Sequence, residues 1–377
     1  MRLVYLSPVP WASFAQRPHR FVEWFHARVG GEVLWIDPYP TRLPELADFG
    51  RAKAEGGCAM KTAAKGNTPA WLTVLHPRSL PIEPLPGSSV LNRLLWNDVL
   101  RAVEAFVGQC QCLLGIGKPS ELALQTLARH PSIPSLYDAM DNFPAFYRGL
   151  SRLAMEGRER KVAAQVSRIS VSSTVLAGRF AAYRSKLVFA HNACSSEALP
   201  PVEAARKESE RPVLGYVGTI GHWFDWPSVF NLAEANPSLC IRLIGPAYVT
   251  PSGRLPRNIE LLPACDHATA MRSMQKFSVG LIPFKRTNLT ASVDPIKYYE
   301  YRAMGLPVLS TRFGEMALRE GHAGVFFADK CSDLAAVAES AMAYECVIGE
   351  IEEFRAANSW KARFDASDIL RFVVQGR

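Results

Sequence analysis

Short apolar runs alternate with longer stretches of helical period along almost the whole chain. In the first half, "RLVYLSP" (2–8), "GEVLWIDP" (31–38), "CLLGIGKP" (112–119) and "PSLYDAMD" (134–141) are brief and continuously hydrophobic. Between them, "HRFVEWFHARVG" (19–30), "LNRLLWNDVLRAVEAFVGQ" (91–109) and "SELALQTLARH" (120–130) repeat their apolar positions every three to four residues. "RISVSSTVLAGRFAAY" (168–183) supplies another strand and helix, and "KLVFAHNA" (186–193) closes the half. Strands that are apolar on both faces, separated by amphipathic helices, predict parallel sheets covered by helices on either side.

A polar, proline-flanked piece, "LPPVEAARKESERP" (199–212), lacks a hydrophobic face and is expected to be a linker. The alternation then restarts. Strands are predicted at "VLGYVG", "CIRLIGP", "IELLP", "VGLIPF", "PVLST" and "GVFFA", with helices at "PSVFNLAEAN", "ATAMRSMQKF" and "CSDLAAVAESAMAYE". The expected architecture is α/β: two Rossmann-like, doubly wound domains facing across a cleft, with ligand outside the carboxyl ends of the strands. The expected division is 1–200 for an N-terminal acceptor-binding domain, 201–350 for a C-terminal nucleotide-sugar-binding domain, and 351–377 for a terminal helix packing back on the first.

Composition narrows the class. The chain has 377 residues, 48% apolar and 21% charged, which fits two ordinary globular domains. No apolar run approaches the roughly 18–20 residues of a membrane-spanning helix, and "MRLVYLSPVPW" is a first buried strand, not a secretory signal. The eight cysteines show no CxxC pair, so reduced thiols are expected over disulfides or a zinc site. The net charge of +8 is uneven: residues 1–200 hold 23 Lys and Arg against 15 Asp and Glu, and the remainder holds 20 of each. The excess is either a solvated basic surface or a face for an anionic partner. No nucleic-acid-binding motif with interleaved aromatics is present.

Candidate chemistry falls at strand ends. "VLGYVGTIGHWFD" places Gly218, Thr219 and Gly221 after a strand and before a helix, where backbone amides can approach a phosphate, or where a tight turn is simply needed. "DPIKYYEYRAMGLPVLST" (294–311) opens a helix after the strand "VGLIPF", with Asp294 or Ser292 as its cap. Lys297 in its first turn is poorly placed for the helix dipole and suits a ligand's phosphates; Glu300, one turn on, suits sugar hydroxyls. The spacing equally allows an i, i+3 ion pair. In the first half, "SPVPWASFAQRPHRF" carries Trp11, Gln16, Arg17 and His19 after the first strand; Arg17 and His19 are candidates for an acceptor or diphosphate, or for a helix start. Asp138 and Asp141 end the strand "PSLYDAMD", where a carboxylate is costly unless paired or used. Each is a candidate general base, with Asp141 preferred and a helix cap its alternative role. No His, Cys and carboxylate set has metal spacing, and there is no DxD pair.

The segment "KYYEYRAMGLPVLST" resembles the donor-site segment of GT-B glycosyltransferases of families 1 and 4, with Glu300, Gly305, Pro307 and Val308 matching and Ser292 standing where a second glutamate is common. "DPIK" before "YYEY" is similar to a bacterial exopolysaccharide branch that includes the xanthan glucuronosyltransferase and teichuronic-acid glycosyltransferases. That resemblance implies a metal-independent transfer, without cofactor, from a UDP-sugar or other NDP-sugar to a glycan or lipid-diphosphate acceptor. It implies Lys297 on the diphosphate, Glu300 on the ribose, Gly218 and Thr219 along the phosphates, Phe284 near the nucleotide, and Asp141 as base in a Tyr-x-x-x-Asp setting with Tyr137. The scattered thiols set the expectation of a cytoplasmic protein, and the basic first half that of peripheral contact with the inner face of the plasma membrane. A nucleotide-sugar 2-epimerase and a non-catalytic sugar- or nucleotide-binding protein share the two-domain expectation.

Overall fold

The computed structural model describes residues 1–41, 68–83, 85, 87–201, 211–251, 253–329 and 333–374. Most of the expected linker at 199–212 lies outside them. The chain forms two compact units. Unit 1 comprises Met1–Ser172, Leu176–Ala190 and Phe364–Arg377; unit 2 comprises Ser173–Val175 and His191–Arg363.

Unit 1 is built on seven parallel strands: β1 (Arg2–Leu6), β2 (Val33–Ile36), β3 (Leu72–Leu75), β4 (Cys112–Ile116), β5 (Ser135–Ala139), β6 (Arg168–Val171) and β7 (Leu187–Phe189). Their spatial order is β3-β2-β1-β4-β5-β6-β7, so the connections after β1 and β4 diverge. That divergence opens a crevice at the carboxyl ends of these two strands, where doubly wound sheets take their ligands. The helices are α1 (Arg17–Val29), α2 (Ser88–Val107), α3 (Glu121–Arg129), α4 (Gly149–Gln165) and α5 (Thr174–Arg179), the last shared at its start with unit 2. α1 closes on Gly30 in the left-handed region at φ 64°, its amide bonded to the His26 carbonyl. The returning C-terminal stretch packs Phe364 against Phe21 and Trp24 of α1, and the Trp24 indole donates to Asp365 at 3.0 Å.

Unit 2 repeats the plan with β8 (Val213–Val217), β9 (Cys240–Ile244), β10 (Ile259–Leu262), β11 (Val279–Ile282), β12 (Val308–Ser310) and β13 (Val325–Phe327) in the order β10-β9-β8-β11-β12-β13. Here the connections diverge after β8 and β11. Its helices are α6 (Trp226–Ala235), α7 (His267–Gln275), α8 (Ile296–Ala303), α9 (Gly314–Ala317), α10 (Leu334–Met342), α11 (Ile348–Ala357) and α12 (Trp360–Ala366), which runs on past the unit's end; α13 (Arg371–Val374) lies in unit 1.

β3, α4 and the one-turn α9 went unread in the sequence. β3 is four residues long and lies at the sheet edge, half of it in contact with water, so it lacks a continuous apolar run. α4 hides its period because its buried face carries Arg158 and Glu159 beside Met155 and Val162. Both charges are paired: Arg158 with Glu83 at 3.0 Å, Glu159 with Arg179 at 2.5 Å.

Candidate functional site

In unit 2 the crevice between β8 and β11 gathers the residues expected to hold a donor. Gly215 and Gly280 lack the Cβ that would strike the rings of Phe277 and Tyr301 at 2.2 and 2.3 Å, so both aromatics pack flat on the sheet. Tyr301 is fully buried, and its hydroxyl accepts the Val217 amide at 3.2 Å. This bond ties α8 to the end of β8. The Gly218–Thr219 turn follows directly. Tyr216 donates its hydroxyl to the Thr219 carbonyl at 2.9 Å, and the Gly218 amide donates to Ile244. A methyl group on Gly218, whose φ is +153°, would meet that hydroxyl at 2.9 Å and Lys297 Cε at 3.5 Å. The turn and Lys297 are therefore neighbours.

Lys297 is bonded to Glu300 at 2.7 Å as an i, i+3 pair, with side chains 25% and 15% exposed. The ion pair anticipated as the alternative is thus what these two residues form. Phe284 is buried rather than open to a base: it packs on Tyr216 and Phe313, and its amide donates to Thr311 Oγ1 at 3.1 Å. It supports the turn from below.

Neither expected cap serves α8, which begins at Pro295 without a side-chain cap. Asp294 is instead a buried hub. It accepts from Arg319 at 2.6 Å, the Tyr299 hydroxyl at 2.9 Å and the Asn192 amide at 2.8 Å, with His191 Nδ1 3.4 Å away. Burial alone would raise its pKa, but the hydrogen bond from His191 and the charge of Arg319 outweigh it and hold the carboxyl below the usual range. Ser292 is fully buried and donates to the Leu289 carbonyl. Glu315, which no sequence signal singled out, is also buried; it accepts the Thr174 amide at 2.6 Å and lies 3.9 Å from His191. His191, partly exposed, thus stands between two buried carboxylates. Only their positions in the fold, more than a hundred residues from His191, bring them together.

In unit 1, Arg17 and Asp138 find each other. The guanidinium reaches Asp138 at 2.8 Å and donates to the Ala190 carbonyl and to Ser170; the two side chains are 2% and 0% exposed. This corrects the expectation that Arg17 meets an acceptor or phosphate and that Asp138 is free to act as base. A buried bidentate pair is structural, and removing one partner strands the other's charge at a cost of about 3–5 kcal/mol. His19 is corrected likewise. Its Nδ1 accepts the Gln16 amide, its Nε2 faces the Trp11 carbonyl at 3.2 Å, and its ring packs between Trp11 and Trp35. Burial lowers its pKa, so the neutral ring closes the start of α1.

Asp141 differs from its neighbour. It is half-buried, just past β5 and ahead of the 3-10 turn Phe143–Phe146. Burial pushes its carboxyl up to about 7; the charge of Arg17 opposes the rise and that of Asp138 adds to it. A depression at the carboxyl ends of β1, β2 and β4 is lined by Ser7, Asp37, Tyr39, Thr41, Lys118 and Ser120, without Asp141. Asp37 is held there by the Trp11 amide and the Trp35 indole, both at 2.8 Å. Among the described residues no group of three His, Cys, Asp or Glu side chains could hold a metal ion.

No family model matches the chain. A protein of Bacillus subtilis (strain 168), named as the teichuronic acid biosynthesis glycosyltransferase TuaH, is 24% identical over 198 residues. The match takes in 47% of this chain and 50% of that protein, so the chain spans about half the length of this curated relative. Among solved structures, Anabaena HepE in complex with UDP and glucose aligns over 100% of this chain and 99% of its own, with a TM-score of 0.60 and 12% identity. The lipopolysaccharide outer core galactosyltransferase WaaB aligns over the same shares at 0.63 and 10%. The catalytic domain of Arabidopsis thaliana starch synthase IV, bound to ADP and acarbose, covers 99% of each chain at 0.62 and 11%. With two Rossmann-like units on parallel sheets and these neighbours over its whole length, the chain has the GT-B fold.

Proposed function

We propose that this protein is a glycosyltransferase that moves a sugar from a nucleoside-diphosphate sugar, UDP-linked, to a glycan or lipid-diphosphate acceptor in polysaccharide or glycoconjugate assembly. The observation that carries the reading is the Gly218–Thr219 turn lying against Lys297 at the crevice of unit 2. A diphosphate on that turn draws the Lys297 ammonium away from Glu300, and the released carboxylate accepts from ribose hydroxyls. Phe284 acts through Tyr216, keeping the turn in place. Relatives named for transfer of sugars, and neighbours solved with UDP, ADP or UDP-glucose, support the same assignment.

In this reading Asp141 is the base. With its pKa near the working pH it takes the proton of the acceptor hydroxyl as that oxygen attacks the anomeric carbon, and the nucleoside diphosphate leaves with the bonding pair. Arg17 and Asp138 position it. Unit 1 holds the acceptor, and its basic excess faces an anionic membrane surface.

The test is a thermal-stability screen with nucleoside diphosphates and UDP-sugars. UDP is expected to raise the Tm, and Lys297→Ala to weaken UDP binding about 10- to 100-fold, the worth of a charge-assisted contact. Absence of stabilisation by every nucleoside diphosphate would remove the donor site.

A further inference from the structure

The depression at the carboxyl edge of unit 1 lies between strands whose connections diverge, and polar side chains wall most of it. Ser7, Asp37, Thr41 and Ser120 are buried there, with half-buried Lys118 beside them. Buried polar groups are costly unless bonded or used, and the bonds divide these residues into two kinds. Ser7 donates to the Val9 carbonyl, Thr41 is bonded to the Tyr147 hydroxyl, and Ser120 accepts the Ala123 amide at the start of α3. Those three are satisfied within the fold. Asp37 and Lys118 are arranged differently.

Asp37 holds a second side chain in place. Its Oδ1 accepts the Trp11 amide and the Trp35 indole, and its Oδ2 stands 2.7 Å from Nδ1 of His76, the residue after β3. A carboxylate only accepts, so the proton of the neutral ring sits on Nδ1 and Nε2 is left as an acceptor. The His76 side chain is 76% exposed, and among the described residues it bonds to no other group. A buried carboxylate thus aims a ring nitrogen at water beside the depression. Half-buried Trp11, whose amide fixes that carboxylate, adds an aromatic face next to it. An aromatic face beside a hydroxyl acceptor suits a sugar ring, which is apolar on its C–H faces and polar at its rim.

Lys118 is held at both ends. Before it, the Gly117 amide donates to the Leu6 carbonyl at 2.8 Å, and a Cβ on Gly117 would strike Pro8 at 2.6 Å and the Tyr5 hydroxyl at 2.9 Å. After it, Ser120 caps α3. The next amides of that helix are taken by Glu83 and by the Tyr39 hydroxyl, so they hold no ligand. Among the described residues Lys118 makes no ion pair or hydrogen bond, and it is the one cation lining the depression. An ammonium fixed in a polar hollow without a counter-charge is suited to an anionic group of a ligand.

We propose that Asp37, His76 and Lys118 form an acceptor subsite for an acidic sugar. His76 Nε2 accepts from a ring hydroxyl, and the Lys118 ammonium holds the acidic group, a uronate carboxylate or a phosphate ester. Asp141 does not line the depression, and β2, which leads to Asp37, lies three strands from β5, roughly 14 Å across the sheet. A ligand that reaches both is longer than one sugar ring. The acidic sugar is therefore the acceptor's second residue, next to the one that receives the transferred sugar. The inference rests on the reading of unit 1 as the acceptor half and adds to it the class of acceptor.

Ligand-observed NMR titration of the full-length protein tests it. The probes are the methyl glycosides of glucuronic and galacturonic acid, glucose 1-phosphate, the neutral methyl glucoside and galactoside, and inorganic phosphate. At least one acidic sugar is expected to bind about tenfold or more tighter than its neutral counterpart, and which one does so separates carboxylate from phosphate ester. Lys118→Gln should erase that margin and Lys118→Arg keep it, while His76→Ala weakens acidic and neutral sugars alike. These side chains are half-buried or exposed, so unchanged melts are expected. Stabilisation by UDP, measured on the same variants, reports the donor reading alone, so either can fail without the other. Acidic sugars that bind no better than neutral ones, or as well to Lys118→Gln as to the wild type, overturn the proposal. Inorganic phosphate binding as tightly as the best acidic sugar also overturns it, by showing an adventitious ion only.

Discussion

Asp141 owes its chemistry to what surrounds it. Its carboxyl titrates at about 7 instead of 3.8 because burial disfavours the charge. Folding therefore favours the protonated form, and stability declines as pH rises from the ordinary value towards about 7. The proposed transfer runs the opposite way, since only the deprotonated group could take the acceptor's proton. Transfer is expected to rise with pH through about 7 and level off above it, and Asp141→Asn should cost about 10²–10⁴-fold in kcat while leaving UDP binding intact. The same substitution should raise the Tm above pH 7 and have no such effect below the ordinary carboxylate pKa. A pH–rate profile and melts at two pH values check both halves. The acidic pair at the end of β5, with Asp141 preferred as base, was legible in the sequence, but the buried pairing of Asp138 with Arg17 was not. It depends on Arg17, 121 residues away from Asp138 in sequence, folding back to reach it.

At the scale of elements, the crevice of unit 2 proposed to hold the donor depends on glycines at strand ends. Gly245, just past β9, has φ +145°, and a Cβ on it would lie 2.1 Å from the Gly218 carbonyl oxygen. Gly245→Ala is expected to displace the Gly218–Thr219 turn and abolish stabilisation by UDP, whereas Gly349→Ala, where a Cβ meets nothing within 4 Å and the backbone is helical, should bind UDP better than Gly245→Ala. Isothermal titration of the two variants separates them. The alternation of strands and helices was readable because most elements are apolar on the face they bury. α8 was readable as a helix, but the role of Asp294 was not: its partners, Arg319 and Asn192, come from outside the segment. α4 escaped for the converse reason, since polar pairs took the places where apolar residues set the period.

At the scale of the whole molecule, the chain begins and ends in the same unit. Phe364, Ile369 and Val373 are buried in unit 1, although more than 170 residues of unit 2 precede them. Removing residues 364–377 uncovers Phe21 and Trp24 and takes away the Asp365 partner of the Trp24 indole. Loss of a large buried aromatic costs about 3–5 kcal/mol, so the truncated protein should melt at a lower temperature than the full chain, with the loss confined to unit 1. Hydrogen exchange of α1 against β8 would show this; equal protection in both would refute it.

The same return of the chain sets a clock on synthesis. Domains emerging from the ribosome generally fold in order, the first while the second is being made, at about 5–20 residues per second. Here unit 1 is exposed first yet lacks its closing aromatic until Phe364, beyond unit 2, has been made. It must wait, partly covered, for the whole of unit 2 to be made. During that interval Phe21 and Trp24 of α1 lack the ring that covers them.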